Sequence, residues 1–75
     1  MSVSVSDLKI IASNGGGMIL DASKISASDL KIIASNASGK QANIILKNPT
    51  VLSASDLKII ASNSKGCVTF DFYDG

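Results

Sequence analysis

Seventy-five residues allow one small domain. Seven Lys and six Asp carry all the side-chain charge, for a formal net of +1, beside one Cys and no His, Glu, Arg or Trp. That balance excludes an intrachain disulfide, a Cys/His zinc site, a basic nucleic-acid surface and a polybasic membrane patch.

Helix-rich domains cover their outer faces with Glu and Arg. A chain built on Ile, Ser, Ala, Asn and Gly reads instead as strands and tight turns. The first segment, Met1 to Val5, lacks the charged start and long apolar stretch of a signal peptide. No apolar run is long enough to span a bilayer, so no membrane insertion is expected. Val3 and Val5 alternate with Ser2, Ser4 and Ser6, which predicts a first short strand.

The nonapeptide Ser-Asp-Leu-Lys-Ile-Ile-Ala-Ser-Asn follows, and it recurs unchanged. Its copies are Ser6 to Asn14, Ser28 to Asn36 and Ser55 to Asn63. Repeats of this length mean stacked supersecondary units. Upstream positions align too: Val3 with Ile25 and Leu52, and Val5 with Ala27 and Ala54. Read with a period of two, Leu8, Ile10 and Ala12 share one side of a strand, and Lys9, Ile11 and Ser13 the other. A third apolar stretch closes each unit: Met18-Ile19-Leu20, Ile44-Ile45-Leu46 and Val68-Thr69-Phe70. The longer second unit places its extra residues in two expected loops, Ala37-Ser-Gly-Lys-Gln and Lys47-Asn-Pro-Thr. These elements predict an all-β chain: a short parallel β-solenoid of about three rungs, with three strands per rung. Residues 1–75 form its single domain, in units of about 2–23, 24–50 and 51–75.

Two other readings compete. Ser-x-Ser-Asp before Leu-Lys-Ile-Ile-Ala, with Asn-Gly after, has the form of a capped helix, though a short one with a poorly amphipathic double Ile. Leu30-x-Ile32 followed by Asn resembles part of a leucine-rich repeat. There the Asn falls one residue late, and Gly15-Gly-Gly-Met-Ile-Leu-Asp lacks helical spacing.

Stacked rungs give the identical positions a purpose. Asn14, Asn36 and Asn63 are expected to form an amide ladder, each side chain bonding the next. Ile11, Ile33 and Ile60 are expected to point outward as an apolar stripe for association. Phe70, Phe72 and Tyr73, interleaved with Asp71 and Asp74, are expected to close the C-terminal end. Asp7, Asp29 and Asp56 form one column and Lys9, Lys31 and Lys58 another, with diagonal attraction between them. The Asp column offers a calcium site in principle; a solvated, capping role is the expectation. Cys67 reads as a half-buried hydrophobe. The Ser-x-Ser columns resemble an ice-binding array, but the chain has only Thr50 and Thr69. Without His or Glu, and with its Ser–Lys pairs in repeats, the chain offers no catalytic constellation. No cofactor, metal or nucleic-acid partner is expected.

Ile25-Ser-Ala-Ser-Asp-Leu-Lys-Ile-Ile-Ala-Ser-Asn and Gly-Gly-Met-Ile-Leu-Asp-Ala-Ser-Lys-Ile-Ser-Ala resemble haemagglutinin repeats of the filamentous haemagglutinin type of secreted bacterial adhesin. The likeness covers most of residues 2–63. It implies a right-handed parallel β-helix, a shaft-like role and an extracellular or cell-surface setting, and it transfers no functional residue. Ile is more frequent here, and Ser-Asp stands in place of the family's Gly-Asp corners. Three unchanged copies are also what recent duplication or deliberate engineering leaves. The functional expectation is a non-catalytic structural module that self-associates into a homo-oligomer through open strand edges or the Ile stripe. The alternative is a binding module whose flat face takes glycan, calcium or ice.

Overall fold

The computed structural model describes residues 3–73. It is an α/β fold, with three helices and three short parallel strands alternating along the chain. The all-β solenoid expectation is therefore overturned, and with it the β-helix that the haemagglutinin likeness implied. Helix α1 spans Val5–Ser13, α2 Ala27–Lys40 and α3 Ala54–Ser64. Strand β1 spans Met18–Asp21, β2 Ile44–Lys47 and β3 Val68–Asp71. All three copies of the nonapeptide are helical, save that Asn14 is the C-cap of α1.

The start signal of each helix is the same local chemistry. Ser4, Ser26 and Ser53 are the N-caps, in extended backbone conformation. Each hydroxyl accepts from the amide of the Asp three residues on, at 3.1, 3.2 and 3.1 Å. That Asp also sits where the helix dipole favours negative charge. The first segment accordingly turns helical at Val5, so the strand expected through Val3 and Val5 does not form.

Period decides the inner face. In α2 the buried residues are Leu30, Ile33, Ala34 and Ala37, spaced at i, i+3, i+4 and i+7. Ala37-Ser-Gly-Lys continues the helix as its last turn and does not loop out. The stops differ. Helix α1 ends on Asn14 followed by Gly15 at φ +90°, a left-handed conformation that glycine adopts freely. In α2 and α3 the left-handed cap residues are Gln41 and Lys65. Gly16 packs against Ile11, where an added Cβ would meet the Ile Cγ2 at 2.5 Å.

The third apolar stretch of each unit does form a strand. The order is β1-β2-β3, parallel throughout, with Met18, Ile44 and Val68 in register. Short 3-10 turns, Ala22–Lys24 and Pro49–Val51, lead from β1 and β2 towards the next helix. Leu20, Ile44 and Leu46 join Leu8, Leu30, Ile33, Ile60 and the small Ala12, Ala34 and Ala37 in one core between sheet and helices. The other sheet face carries no helix, and Ile19 there is 67% exposed. The helices pack in chain order, α1 on α2 and α2 on α3.

Candidate functional site

Two features of this small molecule invite function: the seam repeated between units, and a polar cleft at the strand ends. The seam comes from the identical nonapeptides. Lys9 Nζ meets Asp29 Oδ1 at 3.0 Å across α1 and α2. Lys31 Nζ meets Asp56 Oδ1 at 2.9 Å across α2 and α3. The diagonal Asp–Lys attraction expected from the sequence is present, carried by helices. Each lysine hydrogen-bonds its carboxylate and holds Asp29 or Asp56 below the usual carboxylate range.

The asparagines stitch the same seams. Asn36 Nδ2 donates to the Lys9 carbonyl at 3.2 Å, and Asn63 Nδ2 to the Lys31 carbonyl at 3.4 Å. These replace the expected amide ladder. Side chains on neighbouring helices, whose axes lie about 8–10 Å apart, are too far to stack as they would on strands. Each Asn instead reaches a backbone oxygen, whose second lone pair is open to it. Asn14 is the exposed C-cap of α1.

The Ile column also differs from expectation. Ile33 and Ile60 are 1% exposed and belong to the core, while Ile11 is 37% exposed. The outward aliphatic column lies one residue earlier, at Ile10, Ile32 and Ile59. Of the aromatic residues, Phe70 packs on the core, with its ring centroid 6.1 Å from that of Phe72. Phe72 and Tyr73 are exposed beyond the end of β3; Asp74 lies outside the described residues.

The cleft lies at the C-terminal ends of the strands, with a volume of about 510 Å³. Asp21, Lys47 and Asp71 stand in one cross-strand row there. Their partners are already supplied. Lys47 donates to Asp71, and the Tyr73 amide donates to the same carboxylate at 3.0 Å, so Asp71 too is held low. Asp21 accepts from the Ser23 hydroxyl at 2.6 Å, the Asn48 amide at 2.9 Å and the Ser23 backbone at 2.9 Å. These bonds, the Ser23 hydroxyl foremost, hold its pKa at about 2. The cleft is a satisfied polar network, and sequence reasoning missed it. Its only signal was the Asp, Lys, Asp alternation directly after each apolar triplet.

Among the described residues, no group of three or more His, Cys, Asp or Glu is placed to hold a metal ion. Asp29 and Asp56 spend their charge on lysines, and the Asp column does not converge. No described helix is long and apolar enough to cross a membrane. No protein-family model matches the chain, and neither a curated protein nor a solved structure was found to match it.

Proposed function

We propose that the chain is a non-catalytic structural module that associates with copies of itself through the open edges of its two layers. The observation that carries this reading is an internal control. Ile11, Ile33 and Ile60 occupy the same position of an identical nonapeptide, yet exposure falls from 37% to 1% once another unit precedes. The first unit thus leaves apolar surface that its own sequence buries elsewhere. Beside Ile11 runs a groove of about 540 Å³, lined by Val3, Leu8, Met18, Leu20 and Ile25 together with Asp21 and Lys24. Among the described residues, strands β1 and β3 each keep one edge unpaired, a ready template for another strand.

The non-catalytic part of the reading rests on how the polar groups are used. Ser4, Ser26 and Ser53 cap helices, and Lys9, Lys31 and Lys47 hold carboxylates. Light scattering after size exclusion tests the proposal. Mass should rise with concentration towards whole multiples of the chain; a clean monomer at high micromolar concentration would refute it.

A further inference from the structure

The self-association proposed above leaves open how two copies meet, and the seams answer that with a direction. In both seams the earlier helix supplies a lysine ammonium and that lysine's carbonyl. The later helix supplies an aspartate and an asparagine amide. A third helix therefore carries the unused first half of a seam, and a first helix the unused second half. On α3 that half is Lys58, exposed and without an ion-pair partner among the described residues. On α1 it is Asp7, also exposed and unpaired there, with the exposed Asn14 seven residues on. In the helix layer, opposite charges thus stand on opposite edges of one molecule.

The apolar surface divides the same way. The Leu and Ala positions of the nonapeptide report on the unit that follows, as the second Ile reports on the unit that precedes. Leu8 and Leu30 are buried, but Leu57 is only half-buried; Ala12 and Ala34 are buried, but Ala61 is exposed. One edge leaves Leu57 and Ala61 uncovered, the other Ile11.

We propose that the α3–β3 edge of one copy docks on the α1–β1 edge of a second copy, with Lys58 pairing to Asp7 and Asn14 donating to the Lys58 carbonyl. The Lys–Asp pair repeats the contact already made at α1–α2 and at α2–α3, while Asn14 would donate from the C-cap of α1 where Asn36 and Asn63 donate from within their helices. Continuing the register puts Val68 opposite Met18 and Phe70 opposite Leu20 of the second copy. The contact is heterologous, so it closes as a ring or runs on as a filament. Asp71 then faces Asp21, an unfavourable pair of like charges. Both carboxylates already have partners, in Lys47 for Asp71 and in Ser23 and Asn48 for Asp21. The charge attraction of the contact therefore comes from the helix side.

Charge swapping tests this. The variant Asp7→Lys carries lysine on both edges, and Lys58→Asp carries aspartate on both. Each alone should associate roughly tenfold more weakly than the unaltered chain, because like charges now meet. An equimolar mixture should regain the unaltered affinity, since each edge finds its opposite on the other variant. Circular dichroism of each variant should keep the helical signal, and recovery on mixing cannot come from unfolded chains. If the unaltered chain associates while the single variants match it, or while the mixture stays as weak as either, the head-to-tail clasp is overturned and self-association stands. If the unaltered chain remains monomeric, both proposals fall.

Discussion

At the scale of single residues, the repeat reuses a small set of polar contacts, and the carboxylates are the part that pH reaches. Asp29, Asp56 and Asp71 are held below the ordinary carboxylate range by their lysines, and Asp21 is held at about 2 by its hydrogen bonds. A carboxyl whose pKa is lower in the folded state binds its proton more tightly in the unfolded chain. Its contribution is thus complete above the unfolded value and is lost as pH falls through the folded one. With a reference of 3.8 and a folded value of about 2 for Asp21, the loss falls between those limits. The thermal midpoint should be flat as pH drops from roughly 7 to 5 and should decline as pH falls below about 4. A melting series across that range checks it. The asparagines sit at the same scale. Their recurrence marks an inter-unit contact in the sequence, but the acceptor is a backbone oxygen, and no side-chain identity announces it.

At the scale of elements, the nonapeptide satisfies two periods at once. Leu8, Ile10 and Ala12 alternate as on a strand, while Leu8, Ile11 and Ala12 fit a helix. Seven or so residues with a double Ile do not separate the two by composition, since Ile favours strands intrinsically and helix formation in short segments depends on tertiary packing. The deciding signals were the Ser-x-x-Asp cap before each copy and Ala37, which extends Leu30, Ile33 and Ala34 to a full helical stripe. The third apolar stretches were legible as strands because Met18-Ile19-Leu20 and its equivalents are short apolar runs, each preceded by a turn. A period of two moved the core by one residue. It put Ile10 inside and Ile33 outside, the reverse of what packing enforces. Alanine substitution measures this directly. Ile33→Ala should cost about 2–5 kcal/mol of stability, as expected for a buried Ile in a packed core. Ile10→Ala, on the outward column, should stay within about 0.5 kcal/mol. Equal losses from the two in chemical denaturation would contradict the assigned faces.

For the molecule as a whole, size is the governing constraint. A chain this short buries only about 60% of the surface its unfolded form exposes, so each uncovered edge weighs on its stability. The three units resemble one another closely enough that exposure differences between them locate where neighbours are lacking. Ile11 marks one edge, and Leu57 with Ala61 the other. From the sequence, association was expected through open strand edges or the Ile11, Ile33 and Ile60 stripe; of that stripe only Ile11 lies at an edge. The edge residues themselves were not legible, because they depend on which face of each helix turns inward. The expected aromatic closure was also displaced. Phe72 and Tyr73 extend past β3 and leave its outer edge free to pair.

Amide hydrogen exchange across a concentration series tests the edge-to-edge account most directly. If copies meet edge to edge, amides in β1 and β3 should gain protection as concentration rises, and those of β2, paired on both sides already, should not change. Protection in β1 and β3 that is independent of concentration, or a gain confined to the helix face bearing Ile10, Ile32 and Ile59, would contradict it.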